Sequence, residues 1–236
     1  MLVEAHLDEH PLRLQLDTGS DISALYHQRN GGHVSLQGRL RLGSLDLGEQ
    51  HFVDFSHIPA GAAEGVIGLD SLIGHQILID YPARTLCVTT APLAGEWLEI
   101  PSRLRHGKLF LFSRVGEHLE WGFFFDTGAS LYHLLVDKAN WQALTGRTGD
   151  EEDNQVLHGS GWGSSLTTVG APLTMPLHLG PLQAEAPSVH FVLEQPARFT
   201  DHPARARGLI GSAPFLDHAV RIDLRGSTPF FGVRRH

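Results

Sequence analysis

Asp17-Thr18-Gly19-Ser20 returns 109 residues later as Asp126-Thr127-Gly128-Ala129, and the sequence around each copy decides the fold. At the same offset Leu12, Leu14 and Leu16 fall on Trp121, Phe123 and Phe125. Apolar residues at every second position describe a strand with one buried face, here running straight into the aspartate. A further strand-like run precedes each, Leu2 to Leu7 and Leu109 to Val115. The turn-forming residues Asp8-Glu9-His10 and Gly116-Glu117 follow them, so each aspartate is expected at the end of a hairpin's second arm.

A second pair of matches lies downstream, where Gly65-Val66-Ile67-Gly68 returns as Gly208-Leu209-Ile210-Gly211 at an offset of 143. That register continues without a gap through Leu72 and Phe215, His75 and His218, Ile77 and Val220, Ile79 and Ile222, Asp80 and Asp223. Each copy thus reads as strand, Asp-Thr-Gly turn, variable middle, apolar pair plus glycine, short helix and final strand. The chain divides into a first lobe over 1–90, a connector over 91–107 carrying Pro92, Gly95 and Pro101, and a second lobe over 108–236. Twenty-six glycines and thirteen prolines spread along 236 residues fit an all-β chain with many turns.

The difference of the two offsets makes the second copy 34 residues longer between its motifs. If Leu42-Gly43 corresponds to Leu179-Gly180, the excess falls early, in a stretch that includes Asn154 to Thr167. Two strands around the glycine-rich Gly159-Ser160-Gly161-Trp162-Gly163 predict a mobile hairpin near 155–169, with Trp162 at its tip.

One Asp-Thr-Gly is weak evidence; two, each after an alternating apolar strand and each followed by an apolar-apolar-Gly, are not. Two carboxyls held within hydrogen-bond distance cannot both ionise cheaply, so the pair keeps one proton near neutrality. The charged member can take a proton from water while the neutral one donates to a carbonyl oxygen. Gly19 and Gly128 let the backbone turn tightly and present its N–H groups to the carboxylates. Thr18 and Thr127 carry short hydroxyls able to bond across the interface between the copies.

On these residues the chain resembles the pepsin and retropepsin superfamily of aspartic peptidases over nearly its whole length, and is similar above all to bacterial retropepsin-like proteases with two copies fused. The resemblance implies a bilobal all-β fold related to the double-psi β-barrel, with a cleft between pseudo-two-fold-related lobes. It implies Asp17 and Asp126 as the catalytic dyad, Thr18 and Thr127 as an interlocking threonine grip, and Gly68 and Gly211 in the loops against which the aspartate turns pack. The substrate it implies is an extended peptide or protein segment, cut by a monomer without a cofactor. Asp21 completes an Asp-Thr-Gly-Ser-Asp run. The arginine that partners such an aspartate in retropepsins is replaced by Leu69, leaving Asp21 without that ion pair, or paired with another arginine, and open to contact substrate backbone together with Gly161 and Trp162. Ser20, which Ala129 does not match, is expected to donate to the outer oxygen of Asp17 and favour its ionised form. The first copy is too short between Asp17 and Gly65 for a flap of its own, and its only tyrosine there is Tyr26. A rival reading is a catalytically silent peptide- or protein-binding module that keeps the fold.

Composition excludes other classes. A net charge of −8 does not suit nucleic-acid binding, which needs clustered Lys and Arg. No run approaches the roughly 18 apolar residues of a membrane span. The lone Cys87, between Leu86 and Val88, is expected to be a small buried hydrophobe and rules out an intramolecular disulfide. Sixteen histidines include His6 and His10 but no metal-binding spacing. Asp150-Glu151-Glu152-Asp153 reads as a solvated loop, and Arg198, Arg205 and Arg207 as surface decoration. Met1-Leu2-Val3-Glu4 leads directly into strand-like sequence with no signal peptide, which leaves the compartment open between cytoplasm, periplasm and secretion.

Overall fold

A computed structural model describes residues 1–27, 35–116, 118–161, 163–184 and 186–235. Half of the chain is β-strand, and the described residues contain one α-helix. The first sheet is built from β1 (Leu2–Leu7), β2 (His10–Leu16), β3 (Ala24–His27), β4 (Gln37–Leu42), β5 (Leu45–His51), β6 (Val53–Pro59) and β7 (Gly65–Ile67), in the order β5-β4-β1-β2-β7-β3-β6. Next along the chain come β8 (Gln76–Asp80), β9 (Thr85–Thr89), β10 (Leu98–Glu99) and β11 (Ser102–Arg105).

The second half contributes β12 (Lys108–Val115), β13 (His118–Phe125), β14 (Leu134–Val136), α1 (Lys138–Thr145), β15 (Gln155–Gly161), β16 (Ser164–Pro172), β17 (Leu177–Leu179), β18 (Leu182–Gln183), β19 (Ser188–Val192) and β20 (Gly208–Ile210). Their sheet runs β15-β16-β19-β14-β20-β13-β12-β17-β18, with β11 added beside β12. The chain ends in β21 (His218–Asp223) and β22 (Phe230–Arg235), and a third, five-stranded sheet runs β10-β22-β21-β8-β9.

The internal repeat is visible in the pairing. β2 lies parallel to β7 with Leu16 opposite Ile67, and β13 lies parallel to β20 with Phe125 opposite Ile210. β3 and β14 close the far sides of β7 and β20 in antiparallel pairs. β8 meets β21 antiparallel with Leu78 opposite Arg221, two positions related by the repeat, so a pseudo-two-fold passes between them. Gly68 and Gly211 are dictated by close approach: a Cβ would run into the Ile22 carbonyl at the first and the Ala129 and Tyr132 carbonyls at the second. The expected short helices after them are 3-10 turns, Asp70–Leu72 and Ala213–Phe215.

Alternation places Leu12, Leu14 and Leu16 inside and leaves Arg13 outside, as a strand with one buried face requires. β13 differs, because Phe123, Phe124 and Phe125 are all buried. Phe123 and Phe125 join the main core and Phe124 a second cluster with Phe110 and Phe199, so this strand is covered on both faces. Phe125 packs edge-on against Phe215 and Phe231, at 5.3 and 5.2 Å between ring centroids. Large rings meeting here fix the base on which Asp126 stands.

Two expectations are corrected. Cys87 is exposed, because the alternation of β9 sends Leu86 and Val88 towards the core and the thiol to the other face. The 91–107 stretch is no plain connector, since it supplies β10 and β11 to two different sheets. The acidic run after α1 is the exposed loop expected, held by its own bonds: Glu151 accepts the N–H groups of Thr148 (2.7 Å) and Gly149 (2.9 Å), and Asp153 pairs with Arg147.

Candidate active site

β2 and β13 deliver Asp17 and Asp126 to one place. The Asp17 N–H donates to the Ile67 carbonyl at 3.0 Å and the Asp126 N–H to the Ile210 carbonyl at 2.9 Å, so each aspartate is fixed by the strand its own copy lays alongside. The two carboxyls face each other, each close to the other copy's glycine: a Cβ at Gly19 would run into Asp126 Cγ, and one at Gly128 would lie 3.0 Å from Asp17 Oδ2. Gly19 N–H donates to Asp17 Oδ1 at 3.0 Å, and Gly128 N–H and Ala129 N–H donate to Asp126 Oδ1 at 2.7 and 3.2 Å. Gly19 has to be glycine, since a Cβ there would overlap the Asp126 carboxyl.

The threonines lock the pair reciprocally. Thr18 N–H donates to Thr127 Oγ1 at 3.0 Å and Thr127 N–H to Thr18 Oγ1 at 3.1 Å. Each hydroxyl in turn donates to the strand of the other copy, Thr18 to the Phe125 carbonyl (3.0 Å) and Thr127 to the Leu16 carbonyl (2.8 Å). Both side chains are buried, so every donor and acceptor in this small network is satisfied.

Burial raises the Asp126 carboxyl far above the usual carboxylate range, and the charge and hydrogen bond of Asp17 push the same way against the Gly128 and Ala129 N–H donors. Near neutrality the pair therefore holds one shared proton. The bond expected from Ser20 to Asp17 is not made: the Ser20 hydroxyl donates instead to the Ile22 carbonyl at 2.6 Å. Nearby, Tyr26 and Tyr81 are pushed up to about 12, each by burial first, with Asp17 adding to the effect at Tyr26. Both stay neutral phenols.

Asp21 is taken up elsewhere. Lys108, at the start of the other copy, bonds its carboxylate at 2.9 Å and also the Gly19 carbonyl. The side chain of Lys108 is only 11% exposed, and its ammonium outweighs the desolvation of Asp21 and holds that carboxyl below its ordinary range. A lysine from the second copy thus supplies the counter-charge that no arginine after Gly68 provides. Asp21 does not line the cavity above the carboxyls, so the expected contact with substrate backbone has no support in its position.

That cavity measures about 450 Å³ and has Asp17 and Asp126 on its wall. The first copy lines it with Gln15, Tyr26 and the segment from Ile58 to Ala63, the second with Tyr132, Leu135, Leu166, Val192 and Leu209. Both copies contribute apolar and polar groups, with Ser130, Thr168 and Arg198 beside the apolar residues of the second. The hairpin of β15 and β16 arches over it, pairing from Gln155 opposite Gly170 to Gly161 opposite Ser164. Gly159, Ser160, Gly161 and Gly163 line the space beneath. At Gly163, with φ +77°, a Cβ would come within 2.9 Å of Ile58 Cγ2, so the tip abuts the opposite copy. Trp162 lies outside the described residues. Arg198, read from the sequence as surface decoration, also lines the cavity, where its Nη1 donates to Gln195 Oε1 at 2.7 Å.

Gln15 went unrecognised in the sequence although it carried a signal: two positions before Asp17 on a strand, it shares that residue's face. Leu209, inside the apolar-apolar-Gly motif, was similarly legible. Ile58 to Ala63 and Val192 carry no local pattern and come together only through the fold. Among the described residues no three His, Cys, Asp or Glu side chains converge to hold a metal ion, and no helix is long and apolar enough to cross a membrane. No protein-family model matches the chain, and no curated protein matches it.

Proposed function

We propose that the chain is an aspartic endopeptidase of the pepsin and retropepsin type, with both lobes of the bilobal fold in one polypeptide. One observation carries the reading: two facing carboxyls, each presented by an Asp-Thr-Gly turn and clamped by reciprocal threonine bonds, open onto a covered cavity. A structural ion-binding role does not call for a carboxyl held neutral beside a charged one, whereas general acid-base catalysis does. Such splitting of two carboxyl pKa values is the known behaviour of aspartic peptidases.

In this mechanism a water lies between the carboxyls and an extended peptide runs through the cleft. Asp17 takes a proton from the water as its oxygen attacks the scissile carbonyl carbon, while Asp126 gives its proton to the carbonyl oxygen. The product is a neutral gem-diol. Collapse returns a diol proton to Asp126, Asp17 passes its proton to the amide nitrogen, and the C–N bond breaks. Both carboxyls regain their starting state without a covalent intermediate. The hairpin over the cleft excludes bulk water and holds the peptide against the dyad. The apolar wall of Leu135, Leu166, Val192 and Leu209 favours an apolar side chain next to the cut.

The test is peptide-library cleavage by the purified chain beside Asp17→Asn and Asp126→Asn. Loss of turnover in both variants, with peptide binding kept, is expected. A wild-type chain that binds peptides and never cleaves them would instead be a binding module.

A further inference from the structure

We propose that the outer edge of β9 is a homodimerisation surface, on which a second copy of this chain lays its own β9 antiparallel across a two-fold axis at Cys87. This inference does not depend on the peptidase reading.

Among the described residues β9 pairs with β8 alone and forms one end of the five-stranded sheet. The pseudo-two-fold makes β22 the counterpart of β9, and β22 is covered: Leu98 and Glu99 of β10 pair with its Val233 and Gly232. The same fold thus shows one end of this sheet taking an antiparallel strand and leaves the other without one. Soluble proteins blunt open edges with charges, prolines or bulges, because unpaired N–H and C=O groups recruit strands. Thr85-Leu86-Cys87-Val88-Thr89 has none of these, and its ladder with β8 runs without a register shift.

The edge is also self-complementary, as an isologous interface must be. About Cys87, Thr85 faces the partner's Thr89, Leu86 faces the partner's Val88, and the two thiols face each other. Leu86 and Val88 already pack against the core, so pairing extends one apolar face across the axis. Threonine pairs on the opposite face are favourable cross-strand neighbours. The chain carries a net charge of −8, but this stretch is uncharged, so like charges do not face each other within it. One step beyond it Arg84 faces the partner's Thr90, whose carbonyl accepts from Arg225 Nη1 at 2.9 Å, so charge enters only at the two ends of the pairing stretch. Pro82 and Pro92, each five residues from Cys87, bound the length that can pair.

The experiment is sedimentation equilibrium of the reduced full chain over about 5 to 500 μM, where interfaces at the small end of the size range associate. Wild type and Cys87→Ser are expected to dimerise alike. Cys87→Lys, which sets two ammonium groups opposite each other at an exposed site, should weaken association at least about tenfold. Residues directly opposite in an antiparallel pair have Cα atoms about 4.5–5.5 Å apart, within the span of a disulfide, so mild oxidation should convert the associated wild type to a covalent dimer. A chain that stays monomeric throughout overturns the proposal and leaves the edge to a strand from another source. Association that Cys87→Lys leaves intact places the interface elsewhere and overturns it too. Association without oxidative cross-linking overturns the register.

Discussion

At the scale of single residues, the site rests on groups that are costly to leave unpaired. Thr18→Val removes the acceptor of the Thr127 N–H and the donor to the Phe125 carbonyl, both buried. Loss of about 2–4 kcal/mol in urea denaturation is expected, with Thr18→Ser recovering most of it. Asp126 makes a second prediction through its raised pKa. A carboxyl that titrates higher folded than unfolded adds stability that is fully present below its unfolded pKa of about 4 and is lost as pH rises through the folded value. Stability of the wild type should therefore carry a downward slope with rising pH that Asp126→Asn lacks, read as the difference between their denaturation midpoints. If the two profiles run parallel, Asp126 is not the protonated partner. The same assignment extends turnover above the ordinary carboxylate range, since the basic limb waits for Asp126 to ionise.

Among elements, the covering hairpin separates binding from chemistry. β15 and β16 touch the opposite copy at Ile58 through Gly163, while neither carries a bond to Asp17 or Asp126. Replacing the tip over 159–165 with a two-residue turn should raise KM about tenfold or more while the dyad-dependent pH profile keeps its shape. A variant with unchanged KM would show that the hairpin does not hold substrate. Elements also mark where the sequence was readable. Strands leading into both aspartates, and the hairpin near 155–169, were legible because period-two patterning and glycine-rich turns are local signals. α1 was not: its buried Trp141 bonds the Val189 carbonyl across the fold, and that tertiary contact leaves no mark in the local sequence. Lys108 escaped notice for the same reason, since its partner Asp21 lies 87 residues away.

For the whole molecule, the repeat in the sequence becomes a repeat in space. Offsets of 109 and 143 reappear as equivalent pairings of β2 with β7 and of β13 with β20, and as the contact of β8 with β21. Position in the chain thus foretold which residues would meet at the site: Asp17 with Asp126 and Thr18 with Thr127. The cavity wall, by contrast, is asymmetric, because the 34 additional residues belong to one copy alone. Comparison of the two halves located the extra hairpin but not the wall residues Ile58 to Ala63 and Val192, which only the fold brings together. The most direct test of the central claim is cleavage of a peptide library between about pH 3 and 8 by wild type, Asp17→Asn and Asp126→Asn, each shown to be folded. Turnover by the wild type that either substitution reduces by three orders of magnitude or more, with KM little changed, is the predicted result. Cleavage that survives both substitutions would contradict the account.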